Sequence, residues 1–363
     1  PAIWTAAPAE THRKSQGVLM ETRLRGRLRP EGSVRVTAMG LFLFLGLAGP
    51  GFAAGCGQPL EPGRMEFTVK TGGFERPAPA HIPTAYDGKT RLAVVFDFHG
   101  SNSGPAGQFR RSGWNTVAEH EGFVAIALQG SLDGEYEGTH AWNVPGVTHG
   151  GNLDDERYIK DAVKTVKETF CVDPTRIYAS GYSGGGRMLS QYICNGRPEF
   201  AAAGFVMGLR AGYPVERDGV WQPDIASCKP GNPISIIAFS GMKDVTNPFL
   251  GGGKSYWQYG GEAALKRWAE LDKCEGKGNL VTDAAMTAFS FKACAGGARI
   301  TSYLLKDNTH AWPSRSVLFR TFDANGKVTS ERDATGRMWE FFKNTRSPKE
   351  TPLTAGEAAG RAG

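Results

Sequence analysis

The chain has 363 residues, of which 40% are hydrophobic and 21% charged; that composition supports a full buried core and excludes a disordered or collagen-like chain. The formal net charge is +6, but residues 1–53 alone hold seven Lys/Arg (Arg13, Lys14, Arg23, Arg25, Arg27, Arg29, Arg35) against three Glu (Glu10, Glu21, Glu31), which leaves 35 basic and 33 acidic residues in the rest. A body so nearly neutral lacks the footprint of phosphate-backbone binding, so no nucleic-acid partner is expected.

In chain order, the first element reads as an address. Residues 40–48, Gly-Leu-Phe-Leu-Phe-Leu-Gly-Leu-Ala, form a short apolar run between Arg-rich sequence and Gly51-Phe-Ala-Ala-Gly55. Basic region, apolar core and small-residue cleavage point describe a secretory signal peptide, and the run is too short to span a bilayer. Cleavage is expected after Ala53 or Ala54, giving an extracellular or periplasmic protein with no stable membrane span; Cys56, directly behind, offers lipoprotein anchoring as the alternative. Met20 or Met39 is the expected start, which would place residues 1–19 outside the natural protein. Residues 1–53 are thus read as leader, 54–346 as one catalytic domain, and 347–363, rich in Pro, Thr, Ala and Gly, as a loose tail.

The body alternates strands and helices. Leu92-Ala-Val-Val-Phe-Asp-Phe98 is a continuous apolar run, as a buried parallel strand should be. A short helix is expected over 114–121 and a strand over 123–128. From 155 to 170, Tyr158, Ile159, Ala162, Val163, Val166 and Phe170 recur at three and four, the spacing of an amphipathic helix that Asp154 or Asp155 can cap. Strand 176–180, helix 184–194, strands 205–207 and 234–239, helix 261–271, strand 300–305 and helix 333–342 follow. Such alternation predicts an α/β fold, a mostly parallel central sheet with helices on both faces. All six cysteines (Cys56, Cys171, Cys194, Cys228, Cys274, Cys294) follow the leader. An even count in an exported chain reads as three disulfides. Many pairings are possible; the one adopted is Cys56–Cys171, Cys194–Cys228 and Cys274–Cys294, the last two cysteines being twenty residues apart. The absence of C-x-x-C spacing speaks against a metal site.

Chemistry gathers at strand ends. Gly181-Tyr-Ser-Gly-Gly185 matches G-x-S-x-G between a predicted strand and a predicted helix, the context that lifts a serine hydroxyl above the sheet. A free serine hydroxyl is a poor nucleophile and needs a base, which needs an orienting acid. In this architecture they follow in the order Ser, Asp, His. Asp244 lies just past strand 234–239 and His310 just past strand 300–305, so Ser183, Asp244 and His310 are read as the catalytic triad. The Gly184 N–H at the helix start and the Ser101 N–H, in the loop after strand 92–98, are the expected oxyanion donors. His99 competes for the base role but is assigned a structural one. Gly251-Gly-Gly-Lys-Ser255 resembles the end of a phosphate loop, but Pro248 occupies the required glycine position. Asp154-Asp155 could bind a cation, and helix capping is the simpler account.

Phe98-His-Gly-Ser101, residues 112–123, Leu153-Asp-Asp155, Cys171 to Gly186 and His310-Ala-Trp-Pro313 together resemble secreted polyhydroxybutyrate depolymerases and feruloyl esterases of carbohydrate esterase family one. The resemblance runs from about Cys56 to Phe342. It implies an exported α/β-hydrolase that cleaves carboxylic esters without metal or organic cofactor, with Ser183, Asp244 and His310 in the roles derived above. Gly55-Cys56-Gly57 with Cys171 and Cys194 is more like the feruloyl branch; Phe98, Ser101 and residues 112–123 are more like the depolymerase branch. Both substrate classes stay open, and the short stretch after 342 favours soluble or oligomeric esters. Trp142, Tyr182, Phe249, Trp257 and Trp312 are the candidates for an apolar wall against a phenolic ring or acyl chain. The rival functions are a serine peptidase on the same fold and a non-catalytic polymer- or carbohydrate-binding protein.

Overall fold

In the computed structural model the apolar runs expected as buried strands lie side by side. The structure describes residues 55–347 apart from 149, 277, 324 and 326; the expected leader and all but the first residue of the expected tail lie outside them. The chain divides into Pro1–Pro50 and Gly51–Gly363, and the described residues all belong to the second unit.

The main sheet has ten strands: β1 (Gly63–Met65), β2 (Ala80–Ile82), β3 (Leu92–Phe98), β4 (Val124–Leu128), β5 (Val172–Tyr182), β6 (Ala202–Val206), β7 (Ser235–Gly241), β8 (Asn279–Thr282), β9 (Met286–Phe291) and β10 (Ile300–Leu305). Their spatial order is β1-β2-β4-β3-β5-β6-β7-β10-β9-β8. From β4 to β10 all neighbours are parallel; an antiparallel pair closes each edge. Among the described residues the α-helices are α1 (Pro105–Ser112), α2 (Trp114–Glu121), α3 (Asp155–Thr169), α4 (Gly184–Cys194) and α5 (Gly261–Leu271), which lie between strands, and α6 (Ala334–Phe342), which follows the last one. This is the α/β-hydrolase arrangement, in agreement with the expected fold class.

Every residue of β3 and β4 is buried, and the strand period of two divides them between the sheet's faces. Val94, Phe96, Phe98, Val124, Ile126 and Leu128 pack with α3, α4 and α5. Ala93, Val95 and Ala125 pack on the other face with α2 and α6. The apolar stripe of α3 lies as its spacing requires, with Tyr158, Ile159, Ala162, Val163 and Val166 buried. Asp154 caps that helix by accepting from the Arg157 N–H at 3.0 Å. Asp155 does not cap; its carboxylate turns inward to the Arg76 guanidinium at 2.6 Å. On the opposite face, Trp339 stacks on Phe123 with ring centroids 4.0 Å apart and Phe342 on Tyr178 at 5.1 Å. Truncating either α6 ring to alanine would cost about 3–5 kcal/mol.

Differences from expectation fall mostly at edges. β5 extends over Val172–Tyr182, past the expected 176–180, and β6 over Ala202–Val206 in place of 205–207. The early part of β6 is small because α6 presses on it: a Cβ on Gly204 would meet Met338 Sδ at 2.5 Å. Helix α1, the edge strands β1, β2, β8 and β9, and the hairpins Pro214–Arg217/Val220–Pro223 and Phe319–Phe322/Val328–Arg332 were not anticipated. The disulfides are Cys56–Cys171, Cys194–Cys228 and Cys274–Cys294. They tie the amino-terminal segment to the start of β5, the end of α4 to the loop before β7, and the end of α5 to the segment after β9.

Candidate active site

Ser183 stands between β5 and α4 with φ 51° and ψ −115°, a conformation that costs a non-glycine residue of order 1–3 kcal/mol. The surroundings enforce it. Its N–H donates to the Val206 carbonyl at 2.9 Å, and α4 begins at the next residue. The helix can start so close to β3 only because residue 185 lacks a side chain: a Cβ there would run into the carbonyls of Phe98 and His99.

The other two members of the relay come from neighbouring strand ends. His310 Nε2 is 2.8 Å from Ser183 Oγ, and its Nδ1 is 2.8 Å from Asp244 Oδ2. Asp244 is 3% exposed, so the carboxylate needs compensation. Its Oδ1 accepts the Thr246 and Asn247 N–H groups, each at 2.9 Å. The loops carrying Asp244 and His310 are laced together: the Lys243 N–H donates to the Asn308 carbonyl at 3.0 Å. A side chain at Gly241 would strike that carbonyl. Tyr182 holds His310 from below, its hydroxyl donating to the His310 carbonyl at 2.8 Å.

The loop after β3 faces the start of α4. A Cβ placed on Gly184 would lie 3.1 Å from the Ser101 amide nitrogen, so the two expected oxyanion donors flank one small space. Neither amide donates to a protein acceptor among the described residues. The loop is pinned from outside: Asn102, itself at φ 59°, exchanges hydrogen bonds with Glu135. The Ser103 and His140 backbones pair in both directions.

His99 is fully buried and both ring nitrogens are engaged. Nε2 accepts the Gly130 N–H at 3.0 Å, which leaves Nδ1 to donate to the Gly100 carbonyl at 2.7 Å. Burial pulls its pKa down to about 4, against the opposing pull of the Gly100 carbonyl. Such an imidazole is neutral at physiological pH and braces the loop. Asp97, one turn of the pleat earlier, was not singled out in the sequence, although a lone acid in an all-apolar strand was a signal. It accepts from Gln108 (2.9 Å), Ser112 (2.7 Å) and Ser180 (2.8 Å). Burial raises its pKa to about 6 despite those three donors.

The expected aromatic wall is not assembled as anticipated. Trp142 is buried, its ring 5.1 Å from Phe98 and its indole N–H donating to the His99 carbonyl at 2.7 Å. Phe249 is buried against Gly261 at the start of α5. Trp257 is buried, donating to the Pro248 carbonyl at 2.8 Å. All three are core residues because backbone carbonyls are at hand for the indoles and a glycine for the phenyl ring. Tyr182 is buried behind the oxyanion loop, a positioning side chain. Trp312 alone is half-buried beside the triad, its ring 6.2 Å from Tyr182 and its indole 3.2 Å from Thr335 Oγ1. A cavity of about 870 Å³ opens near the amino-terminal ends of β5 and β7, lined in part by Lys164, Arg197 and Arg346. It contains no triad residue, so volume alone does not locate the chemistry. Among the described residues no cluster of His, Cys, Asp or Glu could hold a metal ion. No helix there is long and apolar enough to cross a membrane.

No family model matches the chain. It is similar to a feruloyl esterase B of Piromyces equi, 26% identical over 237 residues, covering 63% of this chain and 41% of that protein. It is also similar to a poly(3-hydroxybutyrate) depolymerase of Ralstonia pickettii, 22% identical over 305 residues, covering 78% of this chain and 59% of that protein. The chain thus spans less than two thirds of the length of these curated relatives. A solved structure described as native sOPH superposes with a TM-score of 0.50 at 14% identity, covering 72% of this chain and 85% of that one; this likeness concerns the fold alone. The named resemblance to esterases of these two kinds therefore stands.

Proposed function

We propose that the protein is an exported serine carboxylic-ester hydrolase acting through an acyl-enzyme on feruloyl-type plant cell-wall esters or on 3-hydroxybutyrate oligomers. The observation that carries the reading is the continuous relay from Ser183 Oγ through His310 to Asp244, with both links at 2.8 Å, beside two backbone amides that have no protein acceptor among the described residues. His310 takes the Ser183 proton as Oγ attacks the ester carbonyl. The carbonyl oxygen becomes an oxyanion held by the Ser101 and Gly184 N–H groups. His310 then gives the proton to the departing alcohol, and water activated by the same imidazole releases the acid. Asp244 fixes the tautomer with Nδ1 protonated and stabilises the imidazolium. Ester hydrolysis, as opposed to amide hydrolysis or binding alone, is supported by the names of the relatives. Export is supported by three disulfides, which form and persist in oxidising compartments.

The test is a paired initial-rate assay with methyl ferulate and a soluble 3-hydroxybutyrate oligomer, with Ser183→Ala as control. A ferulate preference that the variant abolishes assigns plant cell-wall esters; an oligomer preference assigns polyester breakdown. Turnover of either substrate that survives Ser183→Ala would remove the mechanism. Wild-type protein inert on both would remove the substrate class.

A further inference from the structure

Two arginines lie beneath the loop that covers α4, and they differ in what occupies their guanidinium groups. Arg210 is 5% exposed. Its fork donates to the backbone carbonyls of Tyr259, at 2.8 Å, and Trp257, and it lies against both rings. Arg187, one turn into α4 from the nucleophile, has its guanidinium carbon 3.8 Å from the centre of the Tyr256 ring. No hydrogen-bond acceptor is placed at it among the described residues. Its Nε is shielded from solvent and without a partner among the described residues; burial lowers its pKa, Tyr256 opposes that fall, and Arg187 and the Arg210 cation repel one another. Arg187 as a whole is only partly buried, so its outer nitrogens meet solvent, and a guanidinium so placed gains when something anionic completes their hydrogen bonds.

The location says what that something is. A methyl group placed on Gly184 would touch the Ser101 hydroxyl, the Ser101 amide nitrogen at 3.1 Å and Arg187 Nη2 at 3.4 Å. The guanidinium therefore borders the space between the two oxyanion donors. Tyr256 lies against the planar group, and the outer nitrogens, not the shielded Nε, are the ones a ligand can meet; the paired outer N–H groups of a guanidinium suit a carboxylate in bidentate geometry.

Resting on the hydrolase reading, we infer that Arg187 is a specificity-determining residue that selects esters carrying a carboxylate close to the scissile bond. The carboxylate can belong to the acyl part, as in a half-ester of a dicarboxylic acid, or to the alcohol part, as at the acid end of a hydroxyacid oligomer. Both present the same anion to the same guanidinium.

Two substrate pairs separate the sources. Methyl hydrogen adipate against methyl hexanoate places the charge on the acyl side. The 3-hydroxybutyrate dimer against its terminal carboxamide places it on the alcohol side. Wild-type protein is expected to favour the anionic member of one pair in kcat/KM, and Arg187→Met to lower that preference about tenfold or more. Arg187→Lys, which keeps charge without the fork, should restore part of it. Active sites are counted by fluorophosphonate titration so that a poorly folded variant does not mimic the effect. A wild type that favours the neutral member of both pairs overturns the inference, as does Arg187→Met lowering both members of each pair equally. Calorimetric binding of the same four esters to Ser183→Ala separates this inference from the hydrolase reading. If wild type turns over none of them and takes up no fluorophosphonate at Ser183, the hydrolase reading falls. If Ser183→Ala binds anionic and neutral members alike, the anion site falls.

Discussion

Two histidines stand at strand ends beside the turn that carries Ser183, and only His310 is placed at its hydroxyl. His310 meets Ser183 Oγ with one nitrogen and a buried carboxylate with the other. His99 meets a backbone N–H and a backbone carbonyl. The first arrangement leaves one nitrogen free to gain and return a proton and gives the resulting charge a partner. The second saturates both nitrogens with groups that do not titrate and buries the ring where a charge is disfavoured. A similar contrast separates the two carboxylates. Asp244 receives two backbone amides and an imidazole; Asp97 receives three neutral side chains beneath the oxyanion loop and holds its proton up to about pH 6. Partners, more than residue type or proximity, divide chemistry from scaffolding.

The two histidines can be told apart most decisively at the relay itself. Replacing His310 by Ala should lower kcat by on the order of a millionfold, and Asp244→Asn by roughly ten-thousandfold, as seen when such triads are dismantled. If His310→Ala retains more than a small percentage of activity, the base is elsewhere. The matching change at His99 should act differently. His99→Asn should cost only about 10- to 100-fold in kcat, through loosening of the Ser101 loop. It should also lose about 2–4 kcal/mol of stability, because the Gly130 N–H and the Gly100 carbonyl lose a buried partner. Equal catalytic losses at His99 and His310 would erase the distinction.

The smallest expected effect concerns pH. Between about pH 4 and 6 folded Asp97 keeps its proton while the unfolded chain, at the ordinary value of 3.8, has released it. The folded state then binds more protons, so this group's contribution to stability is greatest below pH 4 and is lost as pH rises towards 6. Over that window the change amounts to about 3 kcal/mol. Asp97→Asn removes it, so urea denaturation at pH 4 and pH 7 should show the variant gaining on wild type at the higher pH. Parallel curves for the two proteins would mean that Asp97 ionises normally.

Much of this was legible in the sequence, for identifiable reasons. Leu92–Phe98 and Val124–Leu128 are buried on both faces, so their apolar runs had no polar alternation to blur them. Ser183, Asp244 and His310, which the structure brings within hydrogen-bond distance of one another, could be singled out because each follows a strong strand signal. The edge strands were not: Asn279–Thr282 is exposed throughout, and Gly63–Met65 is three residues long, so neither carries a period. The aromatic wall failed for another reason. A sequence shows that Trp142 and Trp257 need a partner for the indole N–H, but not that the His99 and Pro248 carbonyls supply one inside the core. Arg187 and Arg210 were passed over because charged residues in helices and loops usually face water; only the packing of residues 256–259 shows that Arg210 is buried and Arg187 partly so.

The whole mechanism turns on Ser183 being made nucleophilic by His310. Intact-mass analysis and peptide mapping after treatment with a fluorophosphonate, in wild type, Ser183→Ala and His310→Ala, probe that dependence without any choice of substrate. One adduct on Ser183 in wild type, absent from Ser183→Ala and slowed by orders of magnitude in His310→Ala, is the expected result. Labelling of another serine, or equally fast labelling of Ser183 without His310, would contradict it.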